Sequence, residues 1–153
     1  MSNTYSQIFL HIIFAVKGRQ SLISKKYSED IRKYITGIVT NLNCKMIAIN
    51  NMSDHIHLLI GLNPNISVSD LLEKIKSNSS KWINENRFLS GKFEWQKGYG
   101  VFSYSKSQID NVIKYIENQE NHHKKKTFRE EYIEFLEKFG VEYNNKYLYE
   151  WIE

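Results

Sequence analysis

The order of apolar and polar residues along the chain predicts alternating strands and helices. Runs rich in β-branched and aromatic residues that end at glycine or at polar turns indicate strands. Apolar residues that recur every three or four positions indicate helices. The predicted elements, in chain order, are a strand over 5–17, a helix over 25–42, strands over 44–52 and 55–62, a helix over 67–86, a strand over 93–105 and helices over 106–123 and 127–139.

These elements predict an α+β protein with a ferredoxin-like sheet. The order βαββαβ up to residue 105 is that of ferredoxin-like folds, in which two helices cover one face of an antiparallel sheet. In that topology the first and third strands are neighbours in the middle of the sheet. The helix over 106–123 is additional, and we expect it to cover or serve the open face.

The length and composition are those of a single globular domain. With 153 residues, 25% charged and 41% apolar, the chain can form one real core. We treat 1–153 as one domain, with a core over about 5–140 and a tail over 141–153. The single Cys44 excludes an internal disulfide, and the longest apolar runs, such as Ile8–Val16, are too short to span a bilayer. The N-terminus lacks a secretion signal, so we expect a cytoplasmic protein.

The charge balance favours a polyanionic partner. A net charge of +4 and a pI near 9.0 are mildly basic. Basic residues would follow a phosphate backbone, and aromatic residues would stack on unpaired bases. Most lysine clusters are simply solvated surface, so these contacts are less sharply defined than the rest. The candidate residues for nucleic-acid contact are Lys17, Arg19, Lys81, Tyr99, Phe102, Tyr104, Lys124 and Lys125.

A His-x-His pair on the predicted third strand is the clearest candidate metal site. Side chains alternate along a strand, so His55 and His57 share one face while Ile56 faces the other way. Neutral imidazole is the commonest protein metal ligand. Alternatively, one of these histidines is a hydrogen-bonded core residue and the other lies at a strand end. Asp54 is either an acceptor for an imidazole N–H beside the metal or only a turn residue.

Polar side chains lie along one ridge of the predicted helix over 106–123, beside its apolar stripe. At about 100° per residue, the offsets from Tyr115 are about 20° for Gln108, about 40° for Gln119 and about −20° for His122. A phenol and an amide oxygen one turn apart can therefore reach a site on the sheet. Taken singly, Tyr115 is also typical of an aromatic at an amphipathic boundary, and Gln119 of a surface residue.

Together these motifs resemble one family, the small single-tyrosine HUH transposases (TnpA type) of the simplest bacterial insertion sequences. This family includes the relatives associated with repeated extragenic palindromes (REP). The resemblance covers about 5–150, and no position of its two main motifs departs from the pattern. The matching segments are Asp54–Leu59 as the HUH motif, Tyr115–Gln119 as the tyrosine helix, and Ser79–Ile83, Trp95–Gly100 and His122–Phe128 in the family's order.

The resemblance implies a reaction and a set of site residues. Tyr115 would attack a phosphodiester of single-stranded DNA, leaving a 5′-phosphotyrosine and a free 3′-OH. His55, His57 and Gln119 would hold a divalent metal, Mg²⁺ or Mn²⁺. The family reads hairpin ends of its insertion sequence and works as a homodimer. Gly98 and Gly100, just before the tyrosine helix, could let that helix serve either its own sheet or that of a second subunit.

Two other classes of protein fit the same pattern of elements. The βαββαβ order also serves non-catalytic nucleic-acid-binding modules, although here the central strand carries His55 and His57 rather than stacking aromatics. A metal-dependent hydrolase could use water as its nucleophile, with Tyr115 in a structural role. Covalent trapping on labelled single-stranded DNA separates the three, because only the transposase forms a phosphotyrosine adduct.

Overall fold

The computed structural model of the protein describes residues 3–144, apart from the side chain of Arg19. The predicted tail from 145 onward lies outside the described residues. The strands are β1 (Phe9–Ala15), β2 (Lys45–Asn51), β3 (His55–Gly61) and β4 (Gly100–Tyr104). The helices are α1 (Lys25–Asn41), α2 (Val68–Glu85), α3 (Ile109–Glu117), α4 (Gln119–His122) and α5 (Phe128–Lys138), with 3₁₀ turns at Lys17–Arg19 and Lys106–Gln108.

The sheet confirms the predicted topology. Its four strands are antiparallel and follow the order β2-β3-β1-β4, so β1 and β3 are the central pair. In their register, Ile13 lies opposite His57 and His11 lies opposite Leu59. Among the residues described, no helix is long and apolar enough to cross a membrane.

One face of the sheet packs on α1 and α2, as predicted. The alternate residues of the central strands that face these helices, such as Phe14 and Leu58, are fully buried. The Ser67 hydroxyl caps α2 by accepting a hydrogen bond from the Asp70 N–H, which explains where this helix begins. This layer is the larger core of the protein. The residues that α1 and α2 contribute to it are Ile31, Ile35, Val39, Leu71, Leu72, Ile75 and Ile83.

The second face of the sheet is covered too, by α3 and α5. Residues Ile109, Val112 and Ile116 of α3 pack on Ala48 and Leu59 of the sheet. The last helix, α5, adds the buried residues Phe128, Tyr132, Phe135 and Leu136. The expectation of an open face served by the third helix is therefore only half right. Because α5 also packs there, the histidines of β3 are enclosed.

Three predicted boundaries were wrong. The first strand begins at Phe9 rather than at 5, and the other two differences have a local cause. The fourth strand begins at Gly100 rather than at 93, because the chain turns at Gly98, where φ is 86°. Only Trp95 in the preceding stretch forms a bridge, to Val16. The predicted helix over 106–123 is interrupted after Glu117. There the Asn50 side chain donates a hydrogen bond of 2.9 Å to the carbonyl of Ile116, which competes with a helical N–H.

Candidate active site

The two histidines of β3 direct the same nitrogen, Nε2, into one buried space. Both side chains are almost completely inaccessible to solvent. The Oδ1 atom of Asp54 lies 2.7 Å from Nδ1 of His55, so the geometry matches a carboxylate that orients the ring. The Nε2 atom of His55 is buried without a hydrogen-bond partner within residues 3–144.

His57 is held on both sides. Its Nδ1 atom lies 2.8 Å from Nε2 of His11, a buried histidine on β1. Its Nε2 atom lies 3.2 Å from a carboxylate oxygen of Glu131 on α5. The ring of Phe128, also on α5, stacks on His55 with centroids 3.9 Å apart. The helix α5 therefore covers the two histidines on the side that faces away from the sheet.

The predicted tyrosine and glutamine reach the same carboxylate. The hydroxyl of Tyr115 donates a hydrogen bond to Oε2 of Glu131, and Nε2 of Gln119 donates to that oxygen at 3.2 Å. Gln119 is fully buried, so it is not the surface residue that its position alone would allow. Glu131 is thus the common partner of residues on β3, α3 and α4.

A histidine after α4 completes the group. Nε2 of His123 lies 3.0 Å from Oε1 of Gln119 and 3.2 Å from Oε1 of Glu131. His122, which the predicted ridge contains, instead packs its ring 4.4 Å from that of Tyr115. Gln108, also on that ridge, accepts a hydrogen bond from the Ser105 N–H at the start of the preceding 3₁₀ turn.

These groups fit a divalent cation. One ligand atom each of His55, His57, His123 and Glu131 lies within 4.8 Å of all the others. Imidazole nitrogens with a carboxylate oxygen suit Mn²⁺ and related ions. Nε2 of His55 has no hydrogen-bond partner among the described residues, so its lone pair is available to bind a cation. Gln119 lies beside this set and is hydrogen-bonded to two of its members.

The protonation of the site suits metal binding but not an ionised phenol. Burial lowers the pKa of His55 to about 4, so its imidazole is neutral near pH 7. Burial opposes ionisation of Glu131 as well, but the nearby imidazoles of His57 and His123 outweigh it and hold the pKa of that carboxyl well below its usual range. Burial, and then the negative charge of Glu131, raises the pKa of Tyr115. Ionising the tyrosine therefore needs added positive charge.

Access to the tyrosine is through a cavity between α3 and α5. The cavity has a volume of about 330 Å³, and Tyr115 and Glu131 lie on its wall. Its apolar lining comes from Tyr104, Val112 and Phe135. The two histidines of β3 are not part of that wall, so Tyr115 is the member of the site that borders the cavity together with Glu131.

The predicted nucleic-acid contacts are scattered in the structure. Tyr99 is exposed, and Tyr104 is partly buried beside the cavity. Phe102 was wrong as a stacking residue, because it is 3% exposed and packs on Phe135 in the core. Lys17 and Lys81 are exposed near Glu94 and Glu85, and Lys124 and Lys125 follow α4 on the surface. The Arg19 side chain lies outside the described part of the chain.

Sequence reasoning missed three residues of the site: His11, His123 and Glu131. Glu131 is an acidic residue three positions after Phe128 and four before Phe135, so it lies on the apolar face of its helix. His11 interrupts an apolar strand at a position that shares a face with Ile13. A polar residue on a face that must be buried is the signal that could have identified both.

A buried His-x-His strand with a tyrosine hydroxyl beside it, on a ferredoxin-like sheet, is the arrangement that the resemblance to single-tyrosine transposases implies. A family model described as "Transposase IS200 like" matches residues 4–119. The chain belongs to this family of IS200-like transposases, which confirms the predicted family and the predicted enzyme class. His123 and Glu131 lie beyond the matched residues.

Curated relatives and solved structures agree with this family. The chain is 24% identical over 118 residues to the ISDra2 transposase TnpA of Deinococcus radiodurans, covering 74% of this chain and 84% of that protein. It is 27% identical over 113 residues to the transposase for insertion sequence element IS200 of Salmonella typhimurium, covering 69% of this chain and 74% of that protein.

Two solved structures have the same fold. The first is a candidate transposase of D. radiodurans R1, with a TM-score of 0.63 and 23% identity over 78% of this chain and 95% of that one. The second is a REP-associated tyrosine transposase bound to a REP hairpin, with a TM-score of 0.61 and 14% identity over 80% of this chain and 73% of that one. At these identities the likeness concerns the fold alone.

Proposed function

We propose that Tyr115 is the nucleophile with which this transposase cleaves and rejoins single-stranded DNA at the ends of an insertion sequence. One observation carries the proposal. The Tyr115 hydroxyl, Nε2 of His57 and the Gln119 amide all contact the same buried carboxylate, Glu131. A nucleophile and candidate metal ligands are thereby brought to one point beside a cavity.

The reaction conserves the energy of the phosphodiester bond. The Tyr115 oxygen attacks phosphorus and loses its proton, while the bond from phosphorus to the 3′ oxygen breaks and that oxygen leaves as a hydroxyl. The DNA keeps its 5′ phosphate as an ester of the tyrosine. Because phenolate is a good leaving group, another 3′-OH can later displace it and join two strands without ATP.

Activation of the phenol is the demanding part of this reaction. With a reference pKa of about 10, only about one tyrosine in a thousand is ionised at pH 7, and this site raises that pKa further. Glu131 holds the hydroxyl in place through its hydrogen bond. A divalent cation, when bound, would polarise the phosphate oxygens and orient the 3′ oxygen.

The proposed ligands of that cation are His55, His57 and Gln119. Glu131 and His123, which belong to the same cluster, are further proposed ligands. The two imidazoles of β3 would bind through Nε2, because Nδ1 of each already has a partner, Asp54 or His11. Nitrogen and oxygen ligands together bind Mn²⁺ more readily than Mg²⁺, and the abundance of Mg²⁺ in cells makes it the alternative.

The proposed substrate is single-stranded DNA with the hairpin ends of the parent element. A solved relative of the same fold is bound to a REP hairpin, and the net charge of +4 here suits a polyanion. The proposed location is the cytoplasm, where the DNA substrate would be found and where the free cysteine Cys44 would stay reduced.

The proposed working unit is a homodimer, because strand exchange between two ends requires two sites. In one chain Tyr115 lies next to its own His57, with ring centroids 6.1 Å apart. A dimer with shared sites would need α3 to leave its sheet. Sedimentation under cleaving conditions tests the dimer. Mixing Tyr115→Phe with a His55→Ala, His57→Ala double variant tests sharing, since only shared sites recover activity.

Covalent trapping tests the function itself. Labelled single-stranded hairpin DNA is incubated with the protein and Mn²⁺, and adducts are separated under denaturing conditions. A transposase leaves labelled DNA attached to Tyr115, which mass spectrometry of the linked peptide identifies. Cleavage without an adduct would indicate a hydrolase that uses water, and binding without cleavage would indicate a non-catalytic module.

A further inference from the structure

A second histidine pair lies beneath the candidate metal site. His11 on β1 and His57 on β3 are both fully buried, with Nε2 of His11 2.8 Å from Nδ1 of His57. In the register of the two strands, His11 lies opposite Leu59, so it is the diagonal neighbour of His57 on the same face. The contact is therefore fixed by the two central strands of the sheet rather than by a loop.

His11 occupies a place that would suit an apolar residue. Its ring lies edge-on to Phe135 at 5.1 Å and near Phe102 and Tyr115. Its other nitrogen, Nδ1, is buried without a hydrogen-bond partner in the described part of the chain. Leaving such a polar atom unsatisfied in the core is unfavourable. A phenylalanine would avoid this cost, so the bond to His57 is what the imidazole adds.

That bond determines which nitrogen of His57 can face a cation. A neutral imidazole has one N–H and one lone pair. For His57 to offer its lone pair at Nε2, its proton must be on Nδ1 and needs an acceptor there, and Nε2 of His11 is the atom within reach. If His11 instead donates, the proton of His57 moves to Nε2, where the carboxylate of Glu131 accepts it at 3.2 Å.

We propose that His11 is a positioning residue that holds His57 in the tautomer able to bind the metal. The inference rests on the proposed metal site and extends it to the first strand. Asp54 has the equivalent place beside His55, but His11 is neutral and can reverse its bond by moving its proton between its own nitrogens. The pair thus has a metal-binding state and a state in which His57 is hydrogen-bonded to Glu131.

Two variants of His11 test this role. His11→Phe keeps a ring of similar size and removes the acceptor, whereas His11→Gln carries an amide oxygen that can reach the place of Nε2. Mn²⁺ affinity is measured by electron paramagnetic resonance titration. We expect His11→Phe to bind Mn²⁺ about 10–100-fold more weakly, the usual effect of losing an outer partner of a ligand, and His11→Gln to recover most of that loss.

A matched control comes from the same part of the core. Phe102 lies near His11, with ring centroids 6.5 Å apart, and has no polar atom in the site. Phe102→Leu should lower thermal stability through looser packing while leaving Mn²⁺ affinity within about twofold. Circular dichroism melts of all variants show whether each is folded under the titration conditions.

The tautomer itself can be observed in the unaltered protein. Two-bond ¹H–¹⁵N spectra distinguish the protonated from the bare nitrogen of each imidazole. With a diamagnetic divalent ion bound, His57 should carry its proton on Nδ1, and His11 should carry its proton on Nδ1 as well. Without the ion, in EDTA, both protons should move to Nε2.

The outcomes separate this inference from the proposed function. If the parent protein binds no Mn²⁺, the metal site itself fails. If the parent binds it and His11→Phe binds equally well, or His11→Gln is as impaired as His11→Phe, then the hydrogen bond does not position His57. Should His11→Phe not fold, the spectra decide alone, because His57 with a bare Nδ1 in the metal-bound parent overturns the proposal.

Discussion

The hydroxyl of Tyr115 donates a hydrogen bond to the carboxylate of Glu131, sixteen residues further along the chain. This bond joins α3 to α5 across the second face of the sheet. The same carboxylate accepts from Gln119 and lies 3.2 Å from His57. The proposed nucleophile is therefore held by an acid that also contacts a proposed metal ligand.

Tyr115→Phe should abolish adduct formation while leaving hairpin binding nearly unchanged. Because the variant removes a donor to a buried carboxylate, we expect the free energy of unfolding to fall by about 1.5–3 kcal/mol. Trapping assays and urea denaturation measure the two effects. Tyr34→Phe, on α1 where its ring stacks on Trp82 away from the site, serves as the control. A Tyr115→Phe protein that still forms adducts would identify another nucleophile, with Tyr99 or Tyr104 to be tested next.

His55→Ala and His57→Ala should each remove Mn²⁺ binding and cleavage, and EDTA should do the same to the parent protein. Gln119→Ala should weaken binding less, because a neutral amide oxygen is a poorer ligand than imidazole. His122→Ala is the control for Mn²⁺ binding, since this histidine lies outside the ligand group. Cleavage at the full rate in excess EDTA would refute the metal's role.

Glu131→Gln should weaken Mn²⁺ binding at least about tenfold. The variant keeps the size and a hydrogen-bonding oxygen but removes the negative charge. Glu134→Gln is a matched control. Glu134 lies on the same helix and lines the same cavity, but it is exposed to solvent. Calorimetric titration compares the two variants. Equal affinity in Glu131→Gln and in the parent would limit Glu131 to holding the tyrosine.

Gly100→Ala should destabilise the protein by about 1–3 kcal/mol through overpacking. A Cβ at this position would lie 2.7 Å from the hydroxyl oxygen of Tyr132 on α5, so the Tyr132 side chain or its helix must shift. Gly37→Ala, within α1, meets nothing within 4 Å and should be neutral or stabilising by up to about 1 kcal/mol. Thermal melts of the two variants test this contrast, and similar losses in both would contradict the packing explanation.

The stability of the metal-free protein should fall as the pH is lowered from about 6.5 to about 4. Burial lowers the pKa of His55 to about 4 and that of His11 well below its usual value. The unfolded chain therefore binds more protons in this range, and protonation favours unfolding. The shift of His55 alone corresponds to about 3 kcal/mol. His123 acts in the opposite direction. Burial lowers the pKa of His123, but the hydrogen bond and charge of Glu131 outweigh burial and raise it. The stability that His123 contributes is therefore lost as the pH rises through its pKa in the folded protein.

Urea denaturation in EDTA across this pH range measures the effect. A His55→Gln variant cannot titrate at that position and should show a shallower dependence on pH. If the parent and this variant have parallel profiles between pH 6.5 and 4.5, another group is responsible. Glu131 is not that group over most of the range, because its pKa is held below its ordinary value.

Local patterns were enough to predict the sheet and half of the site. Alternation along the third strand placed His55 and His57 on one face, and helical spacing brought Tyr115 and Gln119 together. Both relations depend on neighbours within a few residues. The central position of β1 and β3 followed from the order of elements alone, because few topologies satisfy it.

The remainder of the site depends on contacts between distant parts of the chain. The helix break after Glu117 involves Asn50, 66 residues before the carbonyl that it contacts. Glu131 looks like an ordinary solvated acid until α5 is packed on the sheet. Gly100, in the segment that the sequence suggested as a hinge, allows the close approach of Tyr132, which the sequence did not indicate. Periodicity within one element contains none of this information.

Because α5 covers the two strand histidines, an intact copy of such a gene must encode this helix. The family match ends at residue 119, whereas Phe128 and Glu131 follow it. A copy with a stop codon between these points would still match over the same residues and keep Tyr115 and both strand histidines. Its two strand imidazoles would be exposed to water, and the Tyr115 hydroxyl would lack its hydrogen bond to Glu131. A census of intact genes should therefore require the reading frame to continue through the last helix.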